Sequence, residues 1–117
     1  MMGSHMMGRG GADRNGSAAA PVSGAREITL VADEYSFAPK VVRARSGDTV
    51  NVRFENRGSL FHTLTISSLG FELRADGGET ASGSLRLPNA KTYSIVCAVP
   101  GHTEAGMRAR LVVSSAT

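Results

Sequence analysis

From position 26 onward, hydrophobic and polar residues alternate in short runs broken by turn-forming residues. Thr49 to Glu55 is the clearest run: Val50, Val52 and Phe54 fall on one side, Asn51, Arg53 and Glu55 on the other. That period of two is the mark of a half-buried β-strand. The same alternation predicts a strand over Arg26 to Ala32, a short one through Tyr35 and Phe37, and another from Val41 to Ser46, ended by Gly47-Asp48. Further runs cover His62 to Ile66, Phe71 and Leu73, a short Ser84 to Leu87, Tyr93 to Cys97, and Arg108 to Ser114. Asn56-Arg57-Gly58-Ser59, Asp76-Gly77-Gly78 and Pro88-Asn89 separate them. No segment carries apolar residues at helical spacing over three turns, and no internal repeat has a useful period. Short strands at this density of turns predict an all-β fold, an antiparallel Greek-key β-sandwich of about eight strands.

The ends of the chain look different. Residues 1–7 read MMGSHMM, a vector scar to be set aside. Residues 8–24 are rich in Gly, Ala and Ser and show no hydrophobic period. Such a composition buries too little apolar surface to offset its ordering entropy, so a flexible arm is expected. Residues 1–24 thus stand as scar and arm, and residues 25–117 as one domain with its body between about Ala25 and Ser115. A body of that size can form a two-layer core without disulfides. No stretch approaches the roughly 20 apolar residues needed to cross a bilayer. This reading leaves room for a signal peptide or a membrane tether upstream in the full-length protein.

Charge adds little. The net charge of +3 comes from 13 basic and 10 acidic residues scattered through the strands. A solvated surface accounts for them better than attraction to an acidic partner or a membrane. With two Tyr, four Phe, no Trp and no clustered basic stripe, nucleic-acid binding is not expected.

The chemistry is concentrated in four residues. The body holds two histidines, one cysteine and one methionine: His62, Cys97, His102 and Met107. Three of them share the segment Cys97-Ala-Val-Pro-Gly-His102-Thr-Glu-Ala-Gly-Met107. Cys97 ends a strand whose Tyr93 and Ile95 face inward, so its sulfur is expected to face inward too. Pro100-Gly101 turns the chain so that His102 can return to the same point, and Gly106 frees the backbone before Met107. His62 arrives from a distant strand. Two imidazoles, a thiolate and a weak axial thioether form the pattern of a type 1 copper site for electron transfer.

On these residues the body resembles the cupredoxin family. Tyr35-Ser-Phe37-Ala-Pro39 and Ser46-Gly47-Asp48-Thr-Val50 are similar to its early strands, and Tyr93-x-Ile95-x-Cys97 to the strand entering its copper loop. Four residues separate Cys97 from His102 and four separate His102 from Met107, a spacing similar to that of rusticyanin, auracyanin and sulfocyanin. The resemblance implies one copper ion with His62 and His102 as imidazole ligands, Cys97 as thiolate and Met107 as axial thioether. It implies a monomeric, periplasmic or otherwise extracytoplasmic carrier, with membrane anchoring of the full-length protein left open. Redox partner proteins are expected to dock transiently near His102, on a patch built from Leu60, Phe61, Val99, Pro100 and Ala105. Where the family often has Asn after its first histidine, this chain has Thr63, whose hydroxyl must brace the loop instead.

Other readings of the same residues fare less well. A Cys–His nucleophilic pair lacks an oriented third group and a cleft. Zinc suits Cys and two His, but Met is a poor ligand for it. Further copper centres of a multicopper enzyme need additional histidines, and His5 in the scar supplies none. Glu104 beside His102 reads as a solvated loop carboxylate rather than a general base. The chain is therefore expected not to be an enzyme. A copper delivery or storage module would use the same four ligands and stays open as the alternative.

Overall fold

The structure, a computed structural model, describes residues 18–102 and 106–115. Nine strands make two sheets: β1 (Arg26–Asp33), β2 (Ser36–Ala38), β3 (Val41–Arg45), β4 (Thr49–Asn56), β5 (His62–Ile66), β6 (Phe71–Ala75), β7 (Thr80–Arg86), β8 (Lys91–Val96) and β9 (Arg108–Ser114). The first sheet runs β2-β1-β4-β7 and the second β3-β9-β8-β5-β6. The expected sandwich is present, and the short strand expected through Tyr35 and Phe37 is the three-residue β2. Most pairs are antiparallel, but β1 lies parallel to β4 and β3 parallel to β9, where the chain crosses from one sheet to the other.

The inward faces are those the alternation predicts. Ile28, Leu30, Val50, Val52 and Phe54 from the first sheet meet Leu64, Ile66, Leu73, Tyr93, Ile95 and Leu111 from the second, all buried. Phe37 and Phe54 pack with ring centroids 6.1 Å apart. The strand expected at Ser84 to Leu87 begins earlier, at Thr80. Its inward residues there are Ala81 and Gly83, too small to register as a hydrophobic run, although both are buried.

The small side of Gly83 has a use. A Cβ there would lie 2.7 Å from that of Ala18 and 2.9 Å from the Ala19 carbonyl. Residues 18–24, expected to belong to a flexible arm, are accordingly tied to the sandwich. The Ser84 amide donates to the Ala19 carbonyl, and the side chain of Asn51 both donates to and accepts from the Val22 backbone. This segment covers the edge of β7, whose unpaired backbone groups would otherwise be exposed to other chains. Residues 1–17, including His5, lie outside the described residues, as do Glu104 and Ala105.

Candidate metal centre

Strand register brings the donors together. The antiparallel pairing of β8 with β9 matches Ile95 to Ala109 and Val96 to Arg108, so the next step outward sets Cys97 opposite Met107. The Cys97 amide donates to the Met107 carbonyl at 3.3 Å. On the other flank, Thr65 of β5 pairs with Val96 of β8, which carries His62 to the same end of the sheet. The loop closes on itself: the His102 amide donates to the Val99 carbonyl, and the Met107 amide to the His102 carbonyl, each at 3.1 Å. Gly106, at φ 111°, adopts a backbone conformation that a side chain resists, and it lets the chain re-enter β9 directly at Met107.

Three donors converge. Nδ1 of His62 and Nδ1 of His102 are 3.2 Å apart, and Sγ of Cys97 lies 3.5 Å from the His102 nitrogen and 3.9 Å from that of His62. For bonds of about 2.0–2.3 Å to one ion, trigonal or tetrahedral donors sit about 3.3–3.8 Å from each other. The triangle therefore has the size of one coordination shell. His62, Cys97 and Met107 are fully buried and His102 is 9% exposed. Two ring nitrogens at 3.2 Å cannot both carry protons, so at least one lone pair points into the pocket. All four residues singled out in the sequence thus reach one end of the sandwich, three of them by directly measured contact.

The surroundings hold these groups still. The Thr63 amide donates to Sγ of Cys97 at 3.4 Å, which fixes where the sulfur sits. Thr63 Oγ1 accepts from the Ala98 amide at 2.7 Å and lies 2.9 Å from Thr65 Oγ1. The hydroxyl braces the ligand loop, as the family resemblance implied. Burial pushes the His62 pKa down, opposed by a contact with Glu34, so that the ring is held neutral as a ligand must be.

Three contributors were not visible in the sequence. Asn56 is buried, donates to the carbonyls of Leu60 and Ala75, and accepts from the Gly58 amide, which shapes the loop delivering His62. Its one readable signal is an Asn two residues before a Gly, the pattern of an Asx turn. Tyr35 sets its ring edge-on to His102, with centroids 5.1 Å apart. Glu34 places a carboxylate oxygen 3.5 Å from Nε2 of His62. Of the patch expected near His102, Leu60 and Phe61 are 40% and 43% exposed, Pro100 is exposed and Val99 partly buried; Tyr35, 42% exposed, joins them.

Residues 14–113 match the family described as Cupredoxin-like domain. A curated relative, the copper-resistant cuproprotein CopI of Rubrivivax gelatinosus, is 29% identical over 104 residues, covering 72% of this chain. The alignment spans 63% of that relative's length. Among solved structures, auracyanin B superposes with a TM-score of 0.71 at 22% identity, over 86% of this chain and 96% of its own. Auracyanin A, a "blue" copper protein of Chloroflexus aurantiacus, gives 0.66 at 23% identity over 78% and 100%. The dithionite-reduced auracyanin of Roseiflexus castenholzii gives 0.67 at 17% over 78% and 99%. These likenesses bear on the fold. The matched family and the soft donor set together support one copper ion.

Proposed function

The chain belongs to the cupredoxin-like domain family, and from that premise we propose that it carries single electrons between redox proteins. The observation that carries this reading is the buried triangle of two Nδ1 atoms and one cysteine sulfur at 3.2–3.9 Å. His62, Cys97, His102 and Met107 would hold a copper ion, which would supply a one-electron Cu(II)/Cu(I) couple whose potential depends on its ligands and their surroundings.

The protein's part is rigidity and access. The β5, β8 and β9 ladders fix His62, Cys97 and Met107 in position, so little rearrangement would accompany a change of charge on an ion held there. The core on one side and the loop on the other keep water from the donors. Leu60, Phe61, Pro100 and Tyr35 are exposed, and with Tyr35 against His102 they would offer a redox partner an apolar surface for brief docking. Interfaces of that kind are small, which permits rapid release. We place the protein in the periplasm or another extracytoplasmic space, as a monomer without catalytic activity. No helix among the described residues is long and apolar enough to cross a membrane.

A second reading, copper delivery or storage, is favoured by one observation: the 29% identical relative is named a copper-resistant cuproprotein. Both readings predict that Cu(II) added to the metal-free protein produces an intense visible sulfur-to-copper charge-transfer band, absent from Cys97→Ser. Voltammetry separates them. A carrier shows a reversible one-electron wave and fast self-exchange; an irreversible wave with slow exchange would leave the storage reading. A colourless complex, or colour surviving in C97S, would refute both.

A further inference from the structure

We propose that Glu34 is a positioning residue of the metal centre: its carboxylate, facing Nε2 of His62, biases the ring toward the tautomer that leaves Nδ1 as a donor and sets a negative charge beside it. The proposal rests on the reading of His62 as a copper ligand. The geometry is specific. Nδ1 of His62 faces the other two donors, so the ring proton must sit on Nε2 if that lone pair is to be free. Nε2 is fully buried and makes no hydrogen bond to any described residue. Oε1 of Glu34 lies 3.5 Å from it, about half an ångström beyond a full N–H···O bond.

The carboxylate is itself held in place. Its other oxygen, Oε2, accepts from both the amide and the hydroxyl of Ser59, at 2.8 and 2.9 Å, which leaves Oε1 turned to the imidazole. Gly58 has no side chain where one is forbidden: a Cβ there would collide with Oε1 of Glu34. Asn56 in turn fixes Gly58 through its amide. The turn between β1 and β2 therefore serves both imidazoles, Glu34 behind His62 and Tyr35 against His102.

An acceptor behind a metal-bound histidine orients the ring and raises its basicity, and its loss typically costs about 10–100-fold in metal affinity. The full chain carrying Glu34→Gln or Glu34→Ala tests the assignment. Gln keeps an acceptor but loses the charge; Ala loses both. Both variants are expected to bind Cu(II) about 10–100-fold more weakly, with Cu(I) affected less because its charge is smaller. The reduction potential then rises by about 59 mV for each tenfold difference between the two losses. In the metal-free protein, ring-nitrogen NMR should show His62 as one Nε2–H tautomer in the parent and in E34Q, and a tautomer mixture in E34A. A role confined to tying down Ser59 would lower stability and leave the potential and tautomer where they were. An unchanged tautomer in E34A, with Cu(II) and Cu(I) affinities within about twofold of the parent, would overturn the proposal. A parent that forms no coloured copper complex would instead sink the copper reading, and the metal-free spectra would still decide the role of Glu34.

Discussion

Replacing Thr63 by Val removes one oxygen atom and leaves the packing almost untouched, so its cost can be worked out from the hydrogen bonds alone. Thr63 is 4% exposed, and its hydroxyl serves two groups: it accepts from the Ala98 amide and pairs with the Thr65 hydroxyl. Val has nearly the same shape and the same branched Cβ, so no cavity forms. The Ala98 amide lies in an exposed residue that water can partly reach, and its loss costs about 1 kcal/mol. Thr65 is buried, and its hydroxyl stranded beside a methyl costs about 1–2 kcal/mol. The sum, about 2–3 kcal/mol, is a large share of the roughly 5–15 kcal/mol that stabilises a domain. For a domain of this size it corresponds to a fall of about 10–20 °C in Tm. Thr63→Ser keeps the oxygen and loses one methyl, about 1 kcal/mol. Urea unfolding of the metal-free proteins should therefore rank parent, T63S, T63V, with shifted midpoints at an unchanged slope. The copper band should persist in T63V, because the bond to Sγ of Cys97 comes from the backbone amide of residue 63. A T63V protein within about 0.5 kcal/mol of the parent, or one more stable than T63S, would show that the loop does not depend on this hydroxyl.

Two further outcomes follow from the same geometry. Met107→Leu should keep the visible band and raise the reduction potential, since a donor is lost and Cu(II) depends on its donors more than Cu(I) does; an unmoved potential would remove Met107 from the ligand set. Glu55 accepts from Arg53 at 2.8 Å and Arg57 at 3.0 Å, and these bonds hold its pKa below the usual range. A depressed carboxylate pKa means that the unfolded chain binds more protons below about pH 4.3, so this contribution is present at neutral pH and lost as pH falls through the folded value. Glu55→Gln should flatten the acid limb of a stability–pH curve from urea midpoints, and a curve parallel to the parent's would refute the pairing.

The sandwich and the donors were legible because both depend on local signals. Alternation at Val50, Val52 and Phe54, or at Tyr93, Ile95 and Cys97, states which face is inward without reference to any other strand. The four donors stood out because the body has so few residues of their kinds. What escaped notice depends on register or on small residues. Ala81 and Gly83 lengthen β7 without a hydrophobic signal, and Gly83 reveals its role only beside Ala18. Glu34 lies 28 positions before His62, and nothing in the intervening sequence says that a turn of one sheet will meet the first residue of a strand in the other. Thr63 was the intermediate case: the family resemblance implied a bracing role for its hydroxyl, but its partner, the Ala98 amide, is supplied by the β5–β8 pairing.

The same pairing explains why the core and the metal centre cannot be separated on the sheet side. Side chains alternate faces along a strand, so a slip of one residue in β8 would carry Tyr93, Ile95 and Cys97 together to the solvent face. Tyr93 is paired with Leu111 and Ile95 with Ala109, all buried, so that slip would forfeit a run of core contacts as well as the thiolate. The hydrophobic pattern that stabilises the sandwich is thus also what aims Cys97. Glu34 and Tyr35 are under no such constraint, because they sit in a turn outside both ladders. Substitutions there can alter the surroundings of His62 and His102 while leaving the inward alternation of β5, β8 and β9 intact. In this architecture the sheet determines that a metal is held, and the turn between β1 and β2 is free to adjust how strongly.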